Sequence, residues 1–189
     1  MDGLAANRKQ MMMQSIRDHR REGIRRAALT PYLDRLRSMW PVGITESNLP
    51  LEPCERSALQ VAYGDGVGPR RRGEALMLEG VALRSKLQEE LERFDAAVVA
   101  EVEGDTPSGL HEFIEPLVTG ASLGLVLIGD AQREIEQSIF SGDMRAAKQV
   151  TAIRGKIRET INRVAERLGP VAYRRAREMS VAMLADSDA

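Results

Sequence analysis

Histidine is almost missing from this chain: only His19 and His111 occur among 189 residues. The commonest general base and zinc ligand is therefore nearly unavailable. Aromatic residues make up 4%, so the interior must be built from Leu, Ile, Val, Ala and Met. That set suits close helix packing better than a β-sandwich. A lone cysteine, Cys54, excludes an internal disulfide and fits a reducing compartment, with the thiol expected as a small buried apolar group. The start has no basic, apolar and small-residue sequence of a signal peptide. The longest apolar run, within 117–128, is interrupted by Thr119, Gly120, Ser122 and Gly124 and is expected to be too short and polar to span a bilayer. The expectation is a cytoplasmic protein with no membrane partner.

What is present is a globular composition, 43% hydrophobic and 29% charged, which supports a packed core. Net charge is −1, but the charges are segregated. Residues 1–40 carry nine bases against four acids, residues 73–141 four against fourteen, and residues 142–189 ten against six. Either the acidic middle packs on its own basic ends, or those ends meet an acidic partner.

The periodicity is helical throughout. Residues 4–29 place Met12, Ile16, Ile24 and Ala27 loosely on one face, and Thr30-Pro31 reads as a break and a fresh start. Leu33, Leu36 and Trp40 then share a face until Pro41. Residues 41–53 look like an extended connection, followed by a short helix over 53–63 that Gly64 stops. Residues 74–103 form the longest clean helix, with Leu76, Leu83, Leu87, Phe94 and Val98 on one face. Gly104-Asp105 should end it and Thr106-Pro107 start another, short and interrupted at Pro116. Residues 121–140 and a helix after Ser141-Gly142-Asp143 are joined by so tight a corner that they must run antiparallel. The second carries Val150, Ile153, Ile157, Val164 and Leu168 in register, and Gly169-Pro170 separates it from a last helix. The expected fold is all-α: a basic helical arm (1–40), a Pro/Gly-rich connector with one short helix (41–73), an antiparallel helical bundle (74–185) and a frayed tail (186–189).

Motifs for chemistry are weak. Val118–Gly124, VTGASLG, is similar to the cofactor-binding start of short-chain dehydrogenases, T-G-x-x-x-G-x-G. Val126 stands where that pattern needs its last glycine, and Tyr173 meets Arg177 rather than the family's lysine. Gly120 and Gly124 read instead as a close-approach site for another helix. His111, Glu112 and Glu115 could share a helical face, but a metal site needs three or four convergent groups, and His19 lies among arginines. No G-x-S-x-G elbow occurs. No cofactor, metal, catalytic residue or small-molecule substrate is expected.

Two arginine clusters remain. Arg17, Arg20, Arg21, Arg25 and Arg26 could line up along phosphates, though Asp18 and Glu22 punctuate them. Arg70, Arg71 and Arg72 follow the glycines of YGDGVG (63–68) at the start of the longest helix, where the macrodipole disfavours cations unless an acid such as Glu74 or a bound anion offsets them. That stretch has no P-loop lysine or hydroxyl and reads as a joint. Met11, Met12, Met13 and Trp40 are the candidates to face a partner. The expected function is a non-catalytic α-helical interaction protein, an adaptor, scaffold or assembly subunit that can self-associate. The alternative is a DNA- or RNA-binding accessory protein of plasmid or phage type using the arginine stripe.

Overall fold

The structure, a computed structural model, describes residues 2–40, 51–64, 68–103 and 109–185. The expected connection at 41–50, the helix end and cap at 104–107 and the tail at 186–189 lie outside the described residues. Among the described residues there are helices and no strand. They are α1 (Asp2–Met39), α2 (Pro53–Leu59) with a following π turn (Gln60–Gly64), α3 (Arg72–Glu103), α4 (Leu110–Phe140) and α5 (Met144–Ala185).

The three long helices α3, α4 and α5 pack on one another. Their directions follow from residue pairs. Gly73 lies near Val150 and Gly80 near Ile153 and Ile157, while Arg163 reaches Gln88, so α3 and α5 run parallel. Gly120 abuts Leu87 and Gly124 abuts both Leu83 and Ile161, so α4 runs against both. The interior is the aliphatic one the composition demands: Leu76, Leu83 and Leu87 of α3 meet Ile153, Ile157 and Ile161 of α5, all essentially inaccessible. Each such side chain contributes about 1.5–3 kcal/mol of burial. Gly120 and Gly124 do serve close approach, since a Cβ on either would sit 2.6 Å from a leucine or isoleucine methyl. Asp143 caps α5 as the corner predicts, accepting the Ala146 N–H at 3.0 Å. At Gly169 (φ 78°, ψ 175°) the path of α5 breaks, which only glycine adopts readily and which divides the element where the sequence placed a boundary.

Both proline breaks were misplaced. α1 runs through Pro31 and α4 through Pro116. Each proline removes one backbone hydrogen bond, but the flanking turns are held from outside. Leu29 and Leu36 are buried on either side of Pro31, and Leu117 and Val118 directly follow Pro116. The Thr30 hydroxyl also donates to the Arg26 carbonyl at 2.8 Å.

The inner face of α1 differs from the expected one. Met12, Ile16, Ile24 and Ala27 are exposed, whereas Arg25 and Leu29 are buried; the expected face of Leu33, Leu36 and Trp40 does pack on the core. Leu29 and Leu36 join the same core as α3, so the C-terminal half of the expected arm is part of the body. α4 also corrects the reading of its apolar run: Glu112–Phe140 is long and apolar enough, by length and composition, to cross a membrane. Seen as one helix instead of an interrupted run, it turns Leu117, Val118, Ala121, Leu123 and Leu127 into the interior.

Candidate interaction surfaces and buried ion pairs

Arg25 is the residue the sequence placed least well. Its arginine-rich neighbourhood suggests a phosphate contact, yet it is 4% exposed and paired with acids. Its Nε donates to Glu79 Oε2 at 2.5 Å, and Nη1 pairs with Asp130 Oδ2. Arg133 takes the other Asp130 oxygen. One guanidinium thus joins α1, α3 and α4. Burial raises the Glu79 carboxyl above the ordinary glutamate value, and Arg25 only partly opposes this. A second buried pair, Arg84 with Glu55, ties α2 to α3, and Glu55 also accepts the Glu52 N–H at 2.7 Å. Neither network has a sequence signature, because pairing across helices leaves no fixed spacing along the chain.

The other expected anion contacts divide. Arg20 is exposed, Arg17 is half-buried and partnered, and Arg26 is exposed but pairs with Glu22 at 2.7 Å. The Arg21 side chain lies outside what is described, as does that of His111. At the joint, Glu74 meets the expectation of an acidic neighbour: its Oε2 accepts the backbone N–H groups of Arg70 and Arg71 at 2.9 and 3.3 Å. Arg71 reaches Asp143 at 3.3 Å and Arg72 reaches Glu134 at 3.8 Å. These exposed contacts border a cleft of about 350 Å³ between the starts of α3 and α5 and the end of α4. Asp143 and Glu134 pair with the Arg71 and Arg72 guanidinium groups, and Glu74 holds the backbone beside them, which weakens their field for an external anion.

The basic ends do pack on the acidic middle in part. Arg25 and Arg35 meet Glu79 and Glu89, and Arg167 meets Asp95 at 3.3 Å. Tyr63 secures the same region, donating its hydroxyl to the Leu33 carbonyl at 2.9 Å. Burial and Asp34 push this phenol up to about 12. Trp40, a candidate partner-facing residue, is half-buried against the core instead. Cys54 is likewise half-buried, not fully buried, and its thiol is raised by burial and by Glu55, which suppresses the reactive thiolate.

Among the described residues, large apolar groups remain exposed at Ile24 on α1, at Val181 near the end of α5 and in three clusters. Met11, Met12, Met13 and Ile16 lie on the N-terminal half of α1, with Met12 67% exposed. Val99 and Val102 lie at the end of α3. Ile139, Phe140 and Met144 surround the α4–α5 corner. Among the described residues no cluster of three or more His, Cys, Asp or Glu could hold a metal. VTGASLG runs as helix inside α4, its glycines covered by Leu87 and Ile161, with no strand before it. No protein-family model, curated protein or solved structure matches the chain.

Proposed function

We propose that this chain is a non-catalytic α-helical interaction protein, an adaptor, scaffold or assembly subunit, whose docking element is the N-terminal half of α1. One observation carries the reading: Met11, Met12, Met13 and Ile16 stand exposed together on a helix whose other half is anchored in the core. Methionines adapt to irregular apolar surfaces, and covering each adds about 1.5–3 kcal/mol to docking before ordering costs. The surrounding bases set partner and orientation through complementary charge.

A photo-crosslinking residue placed at Met12, in the native cell, tests this. Protein adducts from Met12, with none from exposed Glu159 on α5, are the expected result. Absence of protein adducts at Met12 and at Ile16 sinks the reading.

The rival reading, a nucleic-acid-binding accessory protein, draws on exposed Arg8, Arg20 and Arg26 in the same helix. Under it, random duplex DNA binds with a steep salt dependence, and Arg8→Ala, Arg20→Ala and Arg26→Ala together reduce both affinity and salt slope. Anisotropy titration distinguishes the two.

A further inference from the structure

Helices α1 and α3 run parallel in a fixed register. Arg25 pairs with Glu79 and Arg35 with Glu89, each 54 residues on, and Lys86 over the Tyr32 ring at 4.6 Å repeats the spacing. The same register sets residue 18 beside Arg72, the first residue of α3. Residues 2–17 therefore project past the start of α3 by about 24 Å at 1.5 Å per residue. At the other end Met39 falls beside residue 93, so 94–103 outrun α1 by about 15 Å.

The two overhangs are complementary. Residues 2–17 hold Arg8, Lys9 and Arg17 against Asp2, around the exposed Met11, Met12, Met13 and Ile16. Residues 94–103 hold Asp95, Glu101 and Glu103 with no base among them, Asp95 being paired with Arg167 of α5, and Val99 and Val102 near their end are exposed. One molecule cannot join its own overhangs. They lie at opposite ends of a parallel helix pair, separated by roughly 33 Å along the axis, and point away from each other.

We infer that the partner of the α1 overhang is a second copy of this chain, docking head to tail on the α3 overhang. The inference rests on the reading of α1 as a docking helix and names its occupant. Such a contact is heterologous, so the free overhangs at each end allow growth into a ring or filament. Its charged rim makes it salt-sensitive.

The test uses the full chain with Cys54→Ser, in two populations, one carrying Met12→Cys and the other Val99→Cys. Mixed and oxidised at low salt, they should form a disulfide-linked heterodimer, several-fold more than Met12→Cys mixed with Phe140→Cys, an exposed site at the opposite end from Val99. Raising salt from roughly 0.05 M to 0.5 M should reduce the yield several-fold. Arg8→Glu on one population should lower it, and Glu103→Arg on the other should restore it. A yield no greater than the Phe140→Cys control, or no rescue by the paired charge reversal, overturns the head-to-tail contact. If Met12 meanwhile crosslinks to a different protein in the cell, the docking reading stands and only this occupant is wrong; if DNA suppresses the heterodimer and binds the arginines, both fall.

Discussion

The two halves of α1 are written in the same residues and meet different fates. Residues 7–24 carry Arg8, Arg17 and Arg20 beside Met11–Met13 and Ile16, and the apolar side chains are exposed. Residues 25–39 carry Arg25, Arg35 and Arg37 beside Leu29, Leu33 and Leu36, and here Arg25 is as buried as a leucine. The helix is continuous across the boundary, although Gly23, a poor helix former, stands beside it. What changes is the surface opposite. From residue 25 onward α3 offers Glu79 and Glu89 in register, α4 offers Asp130, and the core admits two leucines. Among the described residues, the exposed Met11, Met12, Met13 and Ile16 of the N-terminal half join no such core. An arginine's role is therefore set by the acids across from it and not by its neighbours in sequence.

The strongest way to break this contrast is Arg25→Ala, which leaves Glu79 and Asp130 buried with one fewer counter-charge. A loss of about 3–5 kcal/mol in urea-unfolding stability is expected, against no measurable change for Arg20→Ala. A comparable loss at both positions would erase the distinction between the halves. Next, Leu36→Ala should cost about 3 kcal/mol, whereas Met12→Ala should stay within about 0.5 kcal/mol by the same measurement. Tyr63→Phe removes the hydrogen bond to Leu33 and should cost about 1 kcal/mol.

Two pH effects sharpen the account of the anchored half. The folded chain holds the Tyr63 proton more tightly than the unfolded chain, because its phenol is raised to about 12. Stability from this group is complete below the ordinary tyrosine value of about 10 and is lost as pH rises through the folded value. Absorbance titration of the phenolate, with Tyr63→Phe as reference, measures it. Glu79 is also raised, by burial over the opposing Arg25, so its contribution is complete below the ordinary glutamate range and declines as pH rises through the raised folded value. Glu79→Gln should remove that slope from a pH series of unfolding midpoints; an unchanged slope would mean the carboxyl titrates as an exposed one.

Much of the fold was legible because helices announce themselves by local period. The face of Leu76, Leu83 and Leu87, the register of Val150, Ile153 and Ile157, and the corner capped by Asp143 all follow from spacing and cap chemistry within a few turns. The errors share one cause. Pro31 and Pro116 are strong local breakers, and each is overridden by side chains anchored in the core on its flanks. The inner face of residues 4–29 was misread because one of its buried residues is Arg25, which no apolar period can find, whereas the face of Leu33, Leu36 and Trp40 was legible. The candidate docking surface was partly legible: Met11–Met13 stood out in the sequence, but nothing in the sequence set Val99 and Val102 apart from the rest of the 74–103 helix.

By itself, then, the sequence determined that the chain is helical, where most helices end, and which faces of α3 and α5 are apolar, since these depend on residues within a few positions of one another. Only the tertiary structure decided which arginine is buried, that α1 lies parallel to α3 in a single register, and which ends the helices leave uncovered. Those properties depend on pairs of residues some 54 positions apart, and no local physical rule links such positions until the helices pack.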